Sequence, residues 1–197
     1  MGKLFCLLGK SASGKDALYT KLLKDESLDL KAFVGFTTRP RRKGEENGRE
    51  YFFTSEEEMR AFERAGKLIE KRVYHTFYGD WFYYSVDSEA ADLKKYDYLC
   101  LGTLESFNAL RNWYGKEKVI PLYIEVEDGE RLSRALKRER AQKEPGYEEM
   151  CRRFLADSRD FSEENLKAAG ITRRFENQDL EACKEELAQE IKKQKDN

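Results

Sequence analysis

Histidine is nearly absent from this 197-residue sequence, with His75 alone, and the four cysteines Cys6, Cys100, Cys151 and Cys183 lie far apart with no C-x-x-C pair. A structural zinc site needs clustered ligands of these types, so none is expected. Widely spaced thiols suit a reducing compartment, where they stay free. No stretch approaches the roughly 18 apolar residues of a membrane span. The apolar run near the N-terminus is short, lacks a small-residue cleavage site and leads straight into a glycine-rich motif. A cytoplasmic protein without a membrane partner is expected. Neither sign of charge is in excess: Lys plus Arg number 37 against 38 Asp plus Glu, for a formal net charge of -1. A protein that coats DNA or RNA would be clearly basic, so nucleic acid is not an expected partner. The balance leaves room for a local basic pocket, and the placement of the arginines decides that.

What is present is an alternation of short apolar runs and amphipathic segments. Residues 3–8 read as a buried parallel strand. Residues 9–14 form a loop of glycine and small residues before a helix over 15–24. A second strand is expected at 32–36, then a polar, arginine-rich loop at 37–48 and a short strand at 50–53. Ser55 with Glu58 three residues on makes a capping box, so a helix begins there and ends near Gly66. Residues 67–87 have β-forming content broken at Gly79-Asp80. Strands at 98–101 and 119–126 are each followed by a helical pattern, from 104 and 130, and further helices are expected at 147–155, 162–169 and 180–193. Strands alternating with helices indicate an α/β fold around a parallel sheet. The stretch 33–87 breaks that rhythm as an inserted, more β-rich subregion. The length suits one core, so a single domain over 1–197 is expected.

The segment Gly9-Lys10-Ser11-Ala12-Ser13-Gly14-Lys15 has the G-x-x-x-x-G-K spacing between an expected strand and helix. Glycines let successive backbone N–H groups turn inward around phosphate oxygens, and the helix N-terminus adds partial positive charge. Lys15 can then reach the β- and γ-phosphates of a nucleotide. An ordinary glycine-rich strand-to-helix turn is the plainer alternative. The next residue is Asp16, where a Ser or Thr hydroxyl usually binds magnesium. A carboxylate is also a hard oxygen ligand, which makes Asp16 a candidate for Mg²⁺.

Thr37 to Phe53 reads TTRPRRKGEENGREYFF and sets several guanidinium groups beside two glycines and a tyrosine. Arginine's planar fork suits phosphate oxygens, so this loop can hold a second phosphate opposite the first. A solvated basic loop is the alternative. The full string resembles the guanylate kinase family, whose T-T-R-x-P-R-x-G-E-x-x-G-x-x-Y-x-F motif it matches almost without a gap. The resemblance runs from the phosphate loop through the C-terminal helix. It implies a P-loop kinase fold, with a parallel sheet flanked by helices as a core at 1–32, 88–130 and 170–197. An inserted β-rich subregion for the nucleoside monophosphate at 33–87 and a helical lid at 131–169 complete it. On the family's pattern Arg39, Arg42, Glu45, Tyr51 and Tyr78 surround the acceptor phosphate.

Leu68-Ile69-Glu70 looks like the family's F-I/L-E, whose glutamate reads guanine. One carboxylate accepts from both the ring N–H and the amino group of that base. An exposed strand glutamate is the plainer role. Tyr78-Gly79 resembles the family's Y-G, followed there by Ser or Thr and here by Asp80, which becomes the base-contacting candidate. Where the family has D-x-D-x-x-G, this chain has Leu101-Gly102-Thr103-Leu104-Glu105. Thr103 could offer a hydroxyl there, or simply cap a helix.

Arg131, Arg134, Arg138, Arg140, Arg152 and Arg153 resemble the family's lid, where arginines close over ATP. Arg138, Arg140 and Arg153 are the expected catalytic members, with Lys15 and Arg39; pairing with local glutamates is the alternative for the set. Phe175 to Leu180 looks like the family's V-N-D-D-L, which puts Asn177 beside ATP. The resemblance thus implies phosphorylation of GMP or dGMP by ATP, accompanied by Mg²⁺, in a monomer or homodimer. Two alternatives stay open: a guanylate kinase-like binding module without catalysis, and a kinase for a different (deoxy)nucleotide or a phosphorylated sugar. Asp16, Asp80 and the missing aspartates motivate both.

Overall fold

In the computed structural model, which describes residues 2–76, 79–88 and 91–196, the first strand shows how the core is divided. All six residues of β1 (Leu4–Gly9) are buried. Leu4, Cys6 and Leu8 face one hydrophobic cluster and Phe5 and Leu7 another. A strand covered on both faces has no reason to alternate polar and apolar residues, which is why it reads as a continuous run. Helix α1 (Lys15–Leu23) follows the phosphate loop and buries Leu18 and Leu22 completely. Each such side chain contributes about 1.5–3 kcal/mol. Next comes β2 (Leu30–Ala32).

The chain then leaves this sheet for a second one. It contains β3 (Phe36–Thr37), β4 (Phe52–Phe53), β5 (Leu68–Thr76) and β6 (Gly79–Val86) in the order β4-β3-β6-β5, with α2 (Glu56–Arg64) between β4 and β5. The capping box that starts α2 is formed in both directions between Ser55 and Glu58. Phe36, Met59, Tyr84 and Val86 make a small core of their own beneath this sheet. The strand expected at 32–36 is therefore two strands in two sheets. Phe33 is buried in the main core and Phe36 in the smaller one, so a single apolar run feeds both.

The chain returns through β7 (Asp97–Leu101), α3 (Leu104–Tyr114), β8 (Val119–Glu125), α4 (Asp128–Arg140), α5 (Tyr147–Asp160), α6 (Glu163–Ala168), β9 (Arg174–Glu176) and α7 (Leu180–Asp196). The main sheet has the order β2-β7-β1-β8-β9, and every pairing in it is parallel. Residues of α3 and α6 cover one face and residues of α1 and α7 the other. The expected α/β fold with a parallel sheet flanked by helices is the one observed. Helix α5 runs past the expected end at 155. The apolar periodicity stops at Leu155, itself 63% exposed, and the extra turn carries Asp157.

Candidate functional site

The phosphate loop lies between the end of β1 and the start of α1. Gly14 precedes that helix at φ 85°, in the left-handed region, and a Cβ there would lie 2.4 Å from Asn177 Nδ2. Only glycine meets both conditions without strain. Three distant side chains fasten the loop. Asn177 Nδ2 donates to Ser13 O at 2.8 Å, and Arg131 Nη1 donates to Ser11 O at 3.1 Å. The Ser11 N–H donates to Asp157 Oδ2 at 2.6 Å, so a carboxylate of α5 occupies one of the loop's backbone donors. The Ser13 hydroxyl is buried without a hydrogen-bond partner among the described residues.

Between this loop and the second sheet opens a cleft of about 880 Å³. Lys15 and Asp16 from the start of α1, Tyr51, Glu70, Arg72 and Ser85 from the second sheet's side of the chain, and Thr103 all line it. Tyr51 packs edge-on against Tyr83, and burial, the largest influence, pushes its phenol up.

The arginine-rich loop is organised from within. The two threonines that open it pin it to β6: Thr37 Oγ1 donates to Phe82 O at 2.9 Å, and Phe82 N donates to Thr38 Oγ1 at 3.0 Å. Arg39 is 4% exposed. Its Nε donates to the Tyr83 hydroxyl at 3.0 Å, Nη1 to Pro40 O and Glu45 Oε2, and Nη2 to Glu45 Oε1 at 2.8 Å. Four of its five N–H groups are thus committed inside the protein. Arg39 and Glu45 form a clamp that shapes the loop, and neither lines the cleft. The Arg39 guanidinium, followed by the Arg42 N–H, holds the Glu45 carboxyl down at about 2. Arg42 is exposed, and its guanidinium has no hydrogen-bond partner among the described residues.

Other expected site residues are placed differently. Tyr78 falls outside the described residues. Asp80 sits exposed near the turn end of the β5–β6 hairpin, 2.7 Å from His75 Nδ1, and is not among the residues lining the cleft. The hairpin carries it beyond the cleft because five paired positions lie between it and the strand ends at Leu68 and Val86 that meet the core. Thr103 caps α3, accepting from Ser106 N at 3.2 Å, and it lines the cleft.

The arginines expected in the lid fall into two groups. Arg138, Arg140 and Arg153 are exposed; Arg153 pairs with Glu149 at 2.7 Å, and Arg138 lies 3.8 Å from Glu139. The arginines that reach the phosphate-loop region are Arg131, 1% exposed, and Arg134, whose Nη2 donates to Asn177 O at 3.1 Å. Both lie in the first half of α4, which runs over the core, whereas 138 and 140 are in its last turn. Arg131 is held by Asp128 through Nε at 3.1 Å and Nη2 at 2.7 Å, and its guanidinium lies 4.7 Å from the Phe154 ring. Sequence reading also passed over Arg72 and Asp157. The two-residue period of a strand from Glu70 would have found the first; nothing local pointed to the second.

A glycine-rich loop at the carboxyl end of a central parallel strand, opposite a second sheet across a deep cleft, defines a P-loop nucleotide-binding protein. The chain belongs to the guanylate kinase family, whose profile matches residues 1–194. It is 29% identical to the guanylate kinase of Porphyromonas gingivalis over 194 residues, covering 97% of both chains. It is 33% identical to that of Wolbachia pipientis wMel over 127 residues, which is 62% of this chain and 59% of the relative. The crystal structure of guanylate kinase from Anaplasma phagocytophilum superposes with a TM-score of 0.66 over 97% of this chain and 85% of that one, at 19% identity. The fold is shared with it.

Proposed function

We propose that the chain phosphorylates GMP or dGMP, transferring the γ-phosphoryl group of ATP in line to the acceptor phosphate. The observation that carries this reading is the shared cleft: Lys15 after the phosphate loop and the nearly buried carboxylate of Glu70 line one volume of about 880 Å³. Membership of the guanylate kinase family and the named relatives support it. In this reading the second sheet holds the acceptor, with Arg42 and Tyr51 near its phosphate and Arg39 and Glu45 setting the loop's shape. The segment 131–169 acts as the lid. Asn177 and Arg134 stand at the nucleotide's adenosine end. No covalent enzyme intermediate is needed; positioning and neutralisation of charge carry the rate.

Among the described residues no three His, Cys, Asp or Glu side chains gather to hold a metal. An Mg²⁺ ion that enters with ATP would draw most of its oxygen ligands from the nucleotide's phosphates and water. Asp16, in the first turn of α1 on the cleft wall, is the residue that would complete its shell. When bound, the ion would supply neutralisation of the phosphates' negative charge. If Asp16 has this role, Asp16→Ala should raise the magnesium concentration needed for half-maximal turnover; an unchanged requirement removes Asp16 from the site.

The same proposal places the protein in the cytoplasm, as a monomer or homodimer. Free thiols at all four cysteines suit a reducing compartment, and no helix of the described residues is long and apolar enough to cross a membrane. The test is ADP formation from ATP and Mg²⁺ with GMP, dGMP, AMP, UMP or no acceptor. Turnover confined to GMP and dGMP is the expected result. Turnover with another monophosphate overturns the specificity, and binding without turnover favours the interaction-module alternative.

A further inference from the structure

The cleft holds an arginine that the proposed reaction has not yet used. Side chains alternate along a strand, so Glu70 and Arg72 share a face of β5, and both line the cleft. Arg72 Nε donates to Glu70 Oε2 at 3.1 Å, while Glu70 Oε1 accepts from the Ser85 hydroxyl at 2.9 Å. Arg72 Nη1 reaches Thr103 Oγ1 on the opposite wall at 3.5 Å, the outer limit of a hydrogen bond. The Glu70 side chain is 7% exposed and that of Arg72 24%. The Nη2 hydrogens and the second hydrogen on Nη1 have no partner among the described residues. The cleft therefore presents an acceptor edge, from the carboxylate, directly beside a donor edge, from the guanidinium.

Guanine carries the complementary order along one side of the base. Its amino group and N1–H are donors, and next to them O6 and N7 are acceptors. A guanidinium meets O6 and N7 with two parallel hydrogen bonds, the commonest specific arginine contact to a base. We infer that Arg72 selects a 6-oxopurine by donating to O6 and N7 while Glu70 accepts from N1 and the amino group. This inference rests on the proposed function and names the residue that sets its specificity. Adenine would bring an amino group against the donors of Arg72, and a pyrimidine has no N7. Hypoxanthine satisfies Arg72 but leaves half of the carboxylate unused, so IMP ranks between GMP and AMP.

A second role for Arg72 would be to hold Glu70 in place without touching the base. The two roles separate when the base atom and the side chain are removed together. Calorimetric titration compares GMP with 7-deaza-GMP, which lacks only the N7 acceptor, for the wild type, Arg72→Ala and Arg72→Lys. The wild type should bind 7-deaza-GMP about fivefold more weakly than GMP, half the free energy of a bidentate contact. In Arg72→Ala that ratio should fall to about one, with both ligands weakened, while ATP affinity and melting temperature stay near wild type. Arg72→Lys should recover part of the affinity for GMP. A wild-type ratio near one, or a ratio that survives in Arg72→Ala, overturns the inference. Should Arg72→Ala melt early, the wild-type ratio and Arg72→Lys still decide it. Failure of the wild type to bind GMP at all would instead bring down the proposed function.

Discussion

Asp157→Asn would remove one negative charge from the mouth of the phosphate loop and keep the shape of the side chain. Asp157 Oδ2 accepts from the Ser11 N–H at 2.6 Å and lies 3.7 Å from Arg131 Nη1, and the side chain is 17% exposed. A triphosphate bound in the loop would call on the same N–H and the same positive charge. A hydrogen bond to a charged group is worth about 1.5–3 kcal/mol and a neutral one about 0.5–1.5, so the free protein gives up about 1–1.5 kcal/mol in the variant. Incoming phosphate oxygens compete against that much less. The Kd for ATP should fall about 5- to 10-fold. The melting temperature of the free protein should drop by about 2–6 °C, and the shift produced by ATP should grow. Calorimetric titration with ATP in the absence of acceptor, beside thermal unfolding with and without ATP, reads both quantities. Weaker ATP binding, or an unchanged affinity in a protein of unchanged stability, would refute the reasoning, because the carboxylate would then neither compete with the nucleotide nor support the free state.

Three further outcomes follow from the geometry. Gly14→Ala forces a residue with a Cβ into the left-handed region and pushes Asn177 off Ser13 O, for about 2–3 kcal/mol in all; circular dichroism should record a melting temperature about 4–12 °C lower, with ATP binding lost. Arg131→Met removes the guanidinium that Asp128 accepts from at 2.7 Å and leaves Ser11 O without its donor, and should cost about 1–3 kcal/mol in urea unfolding, whereas Arg138→Ala on the exposed end of α4 should stay within about 0.5 kcal/mol of wild type. The Glu45 carboxyl is lowered from 4.5 to about 2, first by the Arg39 guanidinium and then by the Arg42 N–H. Its contribution to stability is therefore complete above pH 4.5 and disappears as the pH falls toward 2. Melting temperature measured across that window should decline less steeply in Glu45→Gln.

Elements governed by local chemistry were legible from the sequence. The phosphate loop announces itself by glycine spacing, and α2 begins at Ser55 because its capping box closes over three residues. The parallel sheet followed from apolar runs that both faces bury. What escaped depends on the second half of a contact. Phe33 and Phe36 look like one strand until two separate cores claim them. A helical repeat tells which arginines share a face of α4 but not how far the core extends beneath it, so exposed Arg138 and Arg140 were chosen over buried Arg131. Asp80 was placed by motif, and the length of the β5–β6 hairpin carries it away. Asp157 lies 146 residues from the N–H it accepts, in a helical turn with no apolar signal to mark it.

The bond from Asn177 to Ser13 O spans 164 residues, which gives the nucleotide loop a late place in the folding sequence. The loop's own residues leave the ribosome long before Asn177 does, and β1 finds its neighbours in β7 and β8 before β9 exists. Without β9 and the turn behind it, nothing holds Ser13 O from below. Closing so long a loop is entropically costly and slow relative to local helix formation. Competence to bind ATP therefore appears as one of the final events of folding. Once bound, the nucleotide acts back on the chain's far end: at 100 times its Kd it adds about 2.7 kcal/mol to the folded state, and that increment is felt by β9 and α7 as much as by the loop itself.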